Sequence, residues 1–201
     1  MRAGDKEGMD AGAIIAAIDT MILQHEARSK LRGFRGSVAS GSFASDTEDA
    51  SALEEAVKRA SARNIHFAIG AGNDKKDACD ISPARLSKDS NIVTVGAINF
   101  EDRRSKFSNF GSCVTVYAPG ESIVTTGIGS RAATNVKRGT SMACPHISGL
   151  MAVFLAQDES LRFDPGKMKR KIIGMAQKVK LELGRSIPGD PGLVATNGKR
   201  Q

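Results

Sequence analysis

The chain has 201 residues, 40% of them hydrophobic, with six prolines and no tryptophan, which suits a domain with a real core and excludes a disordered polymer. Its net charge of +7 comes from 29 basic and 22 acidic residues spread along the chain; no aromatic stacking surface accompanies them, so the balance gives no nucleic-acid-binding signature. No apolar run reaches the roughly 20 residues of a membrane span, and the opening MRAGDKEGMDAG lacks the apolar centre of a secretion signal.

Behind Asp10, a capping residue, Ile14, Ile15, Ile18, Met21 and Ile22 recur at helical spacing and predict a first helix. Phe34 to Phe43 predicts a strand of small residues. Ser45 to Asn64 predicts a second helix, acidic in its first turn and basic in its last, with Ala50, Leu53, Val57 and Ala60 as its buried stripe. The short runs IHFAIGAG (65–72), NIVTVGAI (91–98), CVTVYAPG (113–120) and ESIVTT (121–126) are rich in β-branched residues and predict strands. Thr140 to Gln157 predicts a buried central helix. From Pro165 to about Val179, Lys167, Lys171 and Lys178 interleave with Met168, Ile172, Met175 and Val179, the pattern of an amphipathic helix with a wet face. Helices alternating with runs buried on both faces predict an α/β domain with a largely parallel sheet. With no internal repeat or linker, residues 1–201 read as one domain ending in a flexible tail at 198–201.

The chemistry concentrates in RGTSMACPHISGLMAVFLAQ (138–157). Ser141 opens an apolar helix, where unpaired N–H groups and the positive end of the dipole favour developing negative charge. Pro145 fits the first helical turn, where its missing N–H is not needed. By itself a serine in this position is an ordinary helix cap. The longer string GTSMACPHISG, however, resembles the serine motif of the subtilisin-like serine proteases. Upstream, FAIGAGNDKKDACDISPA and IVTVGAINFEDRRSKFSNFGSCVTVYAPGESIVTT are similar to the matching segments of the proteinase K-like branch. The similarity runs from about Asp10 to near Asn197.

That resemblance implies a subtilisin-like three-layer sandwich with its N-terminal part missing, and a serine endopeptidase that cleaves peptide bonds through an acyl-enzyme at Ser141. It makes Asn73 the side-chain donor of the oxyanion hole, beside the Ser141 backbone N–H. It places Ser42, Phe43 and Ala44 on one wall of an extended peptide-binding site and Gly70, Ala71 and Gly72 on the other. Phe43 and Ala44 depart from the family's Ser-Leu-Gly wall and narrow the pocket; small residues chosen for close packing are the alternative explanation of both segments.

The family's histidine base lies in a His-Gly-Thr-His type motif and its aspartate in an Asp-Ser/Thr-Gly motif, and neither occurs in this chain. His25, His66 and His146 do not match, and His146 is expected on a different helix face from Ser141. Asp19-Thr20 in AIDTMI has Met21 where the motif needs glycine and fits the first helical stripe instead. The chain alone is therefore expected to be inactive, and the alternative function is a catalytically inactive pseudoprotease or peptide-binding remnant. A dinucleotide module built on GAGND is disfavoured, since no Gly-x-Gly-x-x-Gly opens a helix there.

Further expectations come with the resemblance. Members of this branch often hold a structural calcium between the loop LSKDSN and an aspartate in the strand after FSNFGS; Thr115 stands at that aspartate position, so no metal or other cofactor is assigned. Cys79 and Cys113 match a disulfide pair of some relatives, leaving Cys144 as a free thiol open to heavy-metal inhibition, whereas three reduced thiols fit a cytosolic chain equally well. Secretion, a protein or peptide substrate and an N-terminal propeptide in the full-length protein are implied; a nucleic-acid or membrane partner is not.

Overall fold

A computed structural model describes residues 10–44, 50–178 and 187–197. The acidic start predicted for the second helix, residues 45–49, and the tail at 198–201 lie outside the described residues.

Helix α1, Ala11–Ser29, begins where the Asp10 carboxylate accepts a hydrogen bond from the Gly12 N–H at 2.9 Å. After it, Gly36 takes φ of +124°, which breaks the extended run predicted from Phe34 and delays strand β1 to Val38–Gly41. Helix α2 spans Ser51–Ala62 and buries Leu53, Val57 and Ala60, with Ala50 just before it. Strands β2, His66–Gly70, β3, Val93–Ile98, and β4, Val116–Pro119, follow; every residue of β2 and β3 is buried. Strands β1 to β4 pair in parallel in chain order. Burial on both faces explains why these runs are continuously apolar.

The two faces carry separate cores. Ala68, Val93, Val95, Ala97, Val116 and Ala118 pack against helix α3, Thr140–Gln157, through Ala143, Cys144, Ile147, Met151, Phe154 and Leu155. On the opposite face Ile65, Phe67, Ile69 and Ile92 pack against Ile18 of α1 and the α2 stripe. The result is the three-layer α/β sandwich expected from the sequence. Helix α4, Pro165–Met175, is capped by Asp164 and adds Met168 and Ile172 to the α3 layer.

Several predicted elements change. ESIVTT becomes strand β5, Ile123–Thr126, which leaves the parallel sheet and pairs antiparallel with β6, Thr134–Lys137. Its alternating exposure, with Val124 69% accessible, is that of a hairpin with one face wet. The last helix stops at Met175 because Ala176 turns extended, and Gln177–Lys178 forms β7. That strand pairs antiparallel with β8, Leu193–Val194, which joins β4 in parallel at Tyr117 and Val194. Asp190 docks this end: it accepts from Tyr117 Oη at 2.5 Å, from the Gly111 N–H at 2.8 Å and from the Gly192 N–H at 3.0 Å.

Candidate active site

The carboxyl ends of β1 and β2 and the amino end of α3 meet at one edge of the sheet, where open α/β sheets bind ligands. Gly139, with φ of +139°, turns the chain into α3. Ser141, partly exposed, follows in the first helical turn and borders a shallow open depression of about 290 Å³ with Ile123, Thr125, Met142, Pro145 and His146.

Asn73 stands beside this helix end on the turn after β2. Its Oδ1 accepts from the Thr140 N–H at 2.8 Å and from the Thr140 hydroxyl at 3.2 Å. The same hydroxyl accepts from the Gly72 N–H at 3.2 Å. With the carboxamide oxygen taken up in this way, Nδ2 is the donor end of the group. A Cβ built on Gly139 would lie 3.5 Å from Asn73 Oδ1 and 3.7 Å from both Asn73 Nδ2 and Ser141 N. The Asn73 carboxamide, oxygen and nitrogen alike, and the Ser141 N–H therefore border the small space that glycine leaves open, next to the positive end of a long helix.

The turn carrying Asn73 is built around Asn109, a residue with no sequence signal of its own and 0% exposed. Asn109 Oδ1 accepts from the Asp74 N–H at 2.9 Å and the Lys76 N–H at 3.0 Å, its Nδ2 donates to the Ala71 carbonyl at 2.8 Å, and its N–H donates to the Gly72 carbonyl at 3.1 Å. Gly72, at φ of +101°, leaves room for it: a Cβ there would come within 2.3 Å of Asn109 Nδ2. A disulfide between Cys79 and Cys113, with Cα atoms 5.2 Å apart, ties the far end of the turn to the segment before β4.

Ser42, Phe43 and Ala44 follow β1 directly, and Gly70 ends β2 with Ala71 and Gly72 just beyond it, so both predicted walls flank α3. They differ in what they offer. Both N–H and C=O groups of Ala71 and Gly72 are paired inside the protein, so that wall presents surface and not a ladder of backbone bonds. Phe43, partly buried, packs its ring against the core on the α1–α2 face. Ser42 Oγ donates to the Ser141 carbonyl at 3.0 Å.

Pro145 is the sixth residue of α3, beyond the first turn in which the sequence placed it. At that depth its missing N–H removes the helical partner of the Ser141 carbonyl, and Ser42 supplies another.

The histidines stand elsewhere. His25 is buried with Nδ1 2.9 Å from Ser37 Oγ, edge-on to Phe34 and Phe163. His66 is buried in β2, with Nε2 donating to the Arg162 carbonyl at 3.4 Å. His146 is exposed and donates from Nδ1 to the Met142 carbonyl at 2.9 Å; it also borders the Ser141 depression. Asp19 pairs with Arg59 at 2.7 Å on the exposed side of α1, in keeping with a helix residue. Cys144 is fully buried in the core, and burial pushes its thiol above the ordinary range, which makes it a poor thiolate.

Ser141 at the start of the central helix and Asn73 beside it thus lie together at the carboxyl edge of a parallel α/β sandwich. The subtilase family profile matches residues 1–192, and the chain belongs to that family. Alkaline protease 2 of Aspergillus fumigatus is 39% identical over 199 residues, covering 92% of this chain and 39% of that protein. Subtilisin-like protease 8 of Trichophyton verrucosum is 44% identical over 175 residues, covering 83% of this chain and 34% of that protein. The chain thus spans well under half the length of these relatives. A crystal structure of a cold-adapted subtilisin-like serine proteinase superposes with a TM-score of 0.73 at 31% identity, covering 88% of this chain and 58% of that one. Among the described residues no helix is long and apolar enough to cross a membrane.

Proposed function

We propose that this chain carries the nucleophile and oxyanion-binding half of a secreted serine endopeptidase. Ser141 Oγ attacks the carbonyl carbon of a bound peptide, and the carbonyl electrons move to its oxygen. Asn73 Nδ2–H and the Ser141 N–H receive that charge in the space beside Gly139, and collapse expels the amine and leaves an acyl-serine. The observation that carries this reading is the double hold of Thr140 on Asn73 Oδ1, which fixes the donor before substrate arrives. Ser42 to Ala44 pair with the extended substrate, and Gly70 to Gly72 form the facing wall of its pocket.

The serine proton needs an acceptor; His25 and His66 are buried on other elements, and His146 donates from Nδ1 to the Met142 carbonyl with no hydrogen bond to the Ser141 hydroxyl or to a carboxylate among the described residues. The base and its orienting aspartate are therefore proposed to come from a segment bearing the His-Gly-Thr-His and Asp-Ser/Thr-Gly motifs, without which the isolated chain is inactive. The same observation favours the second reading, a peptide-binding pseudoprotease. A fluorophosphonate probe separates the two. Labelling of the native polypeptide that is lost in Ser141→Ala supports the endopeptidase; a native polypeptide that never labels leaves the pseudoprotease. Secretion is supported by the Cys79–Cys113 bridge, which suits an oxidising compartment.

A further inference from the structure

The loop LSKDSN, Leu86 to Asn91, joins a short 3₁₀ segment, Ala84–Lys88, to β3. This is the loop from which the family resemblance would draw carbonyl ligands for calcium, and the residues present do not fit that ion. Thr115, at the place of the expected carboxylate, is buried and brings no charge; its Oγ1 accepts from the Thr94 N–H at 3.1 Å. The loop carbonyls are already engaged. Lys169 reaches across from α4, and its Nζ donates to the Ser87 carbonyl at 2.5 Å and to the Ser90 carbonyl at 2.9 Å. A calcium ion needs six to eight oxygens, several of them anionic, and here an ammonium group occupies two of the carbonyls.

We propose that Lys169 is an internal cation for this loop, doing from α4 what a bound calcium does in metal-holding relatives. Three local features fit an ammonium better than a metal. Its three donors suit neutral carbonyls without a carboxylate cage. Burial pushes the Lys169 amine below its ordinary range, while the Asp89 carboxylate opposes that shift and favours the ammonium form. The start of α4 is also fitted to the loop: a Cβ on Gly166 would stand 3.1 Å from Asn91 Oδ1, so the helix that delivers Lys169 lies directly against it. The loop in turn steadies the sheet, since Ser87 Oγ donates to the Cys113 carbonyl and Thr94 Oγ1 donates to the Ala84 carbonyl at 2.7 Å. The proposal stands apart from the chemistry at Ser141 and predicts a loop whose order is independent of calcium.

Hydrogen exchange by mass spectrometry on the native polypeptide, with calcium or with a chelator, reads this locally. In the wild type, amides of residues 86–93 should exchange at the same rate in both conditions. Lys169→Met, similar in volume and uncharged, should speed exchange of that peptide about tenfold and leave the peptides of α1 and α2 unchanged. Lys169→Arg should stay within about threefold of the wild type, and adding Thr115→Asp to Lys169→Met should make protection of the loop rise with calcium. The proposal is overturned if calcium protects this loop in the wild type, or if Lys169→Met leaves its exchange unchanged. Should Lys169→Met fail to fold, the calcium response of the wild type and of Lys169→Arg still decides the matter.

Discussion

Ser42 Oγ lies 3.0 Å from the carbonyl oxygen of Ser141, the carbonyl that Pro145 leaves without a helical partner. A residue at the end of β1 thus completes the first turns of α3 at the point where the proposed nucleophile sits. Ser42→Ala should cost about 1 kcal/mol, the scale of one hydrogen bond at a partly wetted site. In a Pro145→Ala background, residue 145 regains an N–H for the Ser141 carbonyl, so the cost of Ser42→Ala should shrink. Chemical denaturation of the four proteins of this cycle measures the coupling; equal costs in both backgrounds would show that Ser42 and Pro145 act independently.

Thr140 holds Asn73 through both its N–H and its hydroxyl. Thr140→Val keeps the first contact and removes the second, together with the acceptor for the Gly72 N–H. In the catalytically complete polypeptide we expect kcat to fall about tenfold with KM nearly unchanged, because the loss concerns a donor that matters most as charge develops. Asn73→Ala, which deletes the donor, should cost about 10²–10³ in turnover. An increase in KM alone for either variant would place these residues in substrate binding instead.

Gly139 combines a positive φ with a position beside the Asn73 carboxamide and the Ser141 N–H. In the catalytically complete polypeptide Gly139→Ala should therefore cost about 1–2 kcal/mol of stability through backbone strain and should also slow acylation of Ser141 by a fluorophosphonate. Both effects are readable on one preparation, by thermal melting and by labelling rate. Retention of full labelling in a destabilised variant would mean that the space beside residue 139 is not where the oxyanion forms.

The Cys79–Cys113 bridge closes a loop with a sequence separation of 34 that contains β3 and Asn109. Loop-closure entropy for that length gives about 3–4 kcal/mol. The Cys79→Ser/Cys113→Ser double variant should lose that much in denaturant unfolding, and reductant should lower the wild type to match it. A wild type indifferent to reductant would mean that the thiols are reduced in solution.

How much of this was legible beforehand follows from the range of the interactions. The α3 motif, both cores and strands β2 to β4 show in the sequence because burial on one stripe or on both faces writes a periodic apolar pattern, as Leu53, Val57 and Ala60 do for α2. Strands β6 and β8 do not show. Thr134–Lys137 is exposed throughout, and Leu193–Val194 is a strand only because β4 and β7 lie beside it. Asn109 and Lys169 are silent for the same reason: an asparagine inside FSNFGS and one lysine among several in α4 acquire their roles from backbone groups about 35 and 80 residues away. Asn73 and Ser141 could be named from the string that surrounds them. Their relation through Thr140 and Gly139 could be obtained only from the fold.

His66 gives the chain an acid sensitivity unrelated to Ser141. Its ring is 1% exposed inside β2, Nδ1 is buried with no hydrogen-bond partner, and Nε2 faces the Arg162 carbonyl. Desolvation is the largest influence and pushes its pKa below the ordinary 6.5; the carbonyls of Arg162 and Leu161 and the Asp164 carboxylate oppose that shift, and nearby His25 adds to it. His25 is itself shifted down by burial. Because the folded pKa is depressed, the unfolded chain takes up a proton first as pH falls through 6.5. The stability due to the neutral ring is therefore complete above that value and drains away below it, until the folded pKa is reached. The slope from His66 is bounded by the one-proton limit of about 1.4 kcal/mol per pH unit. Urea unfolding between pH 8 and about pH 5 should show stability falling on the acid side, and His66→Leu should remove most of that slope while leaving the part due to His25. A slope identical in wild type and His66→Leu would assign the acid sensitivity to other groups.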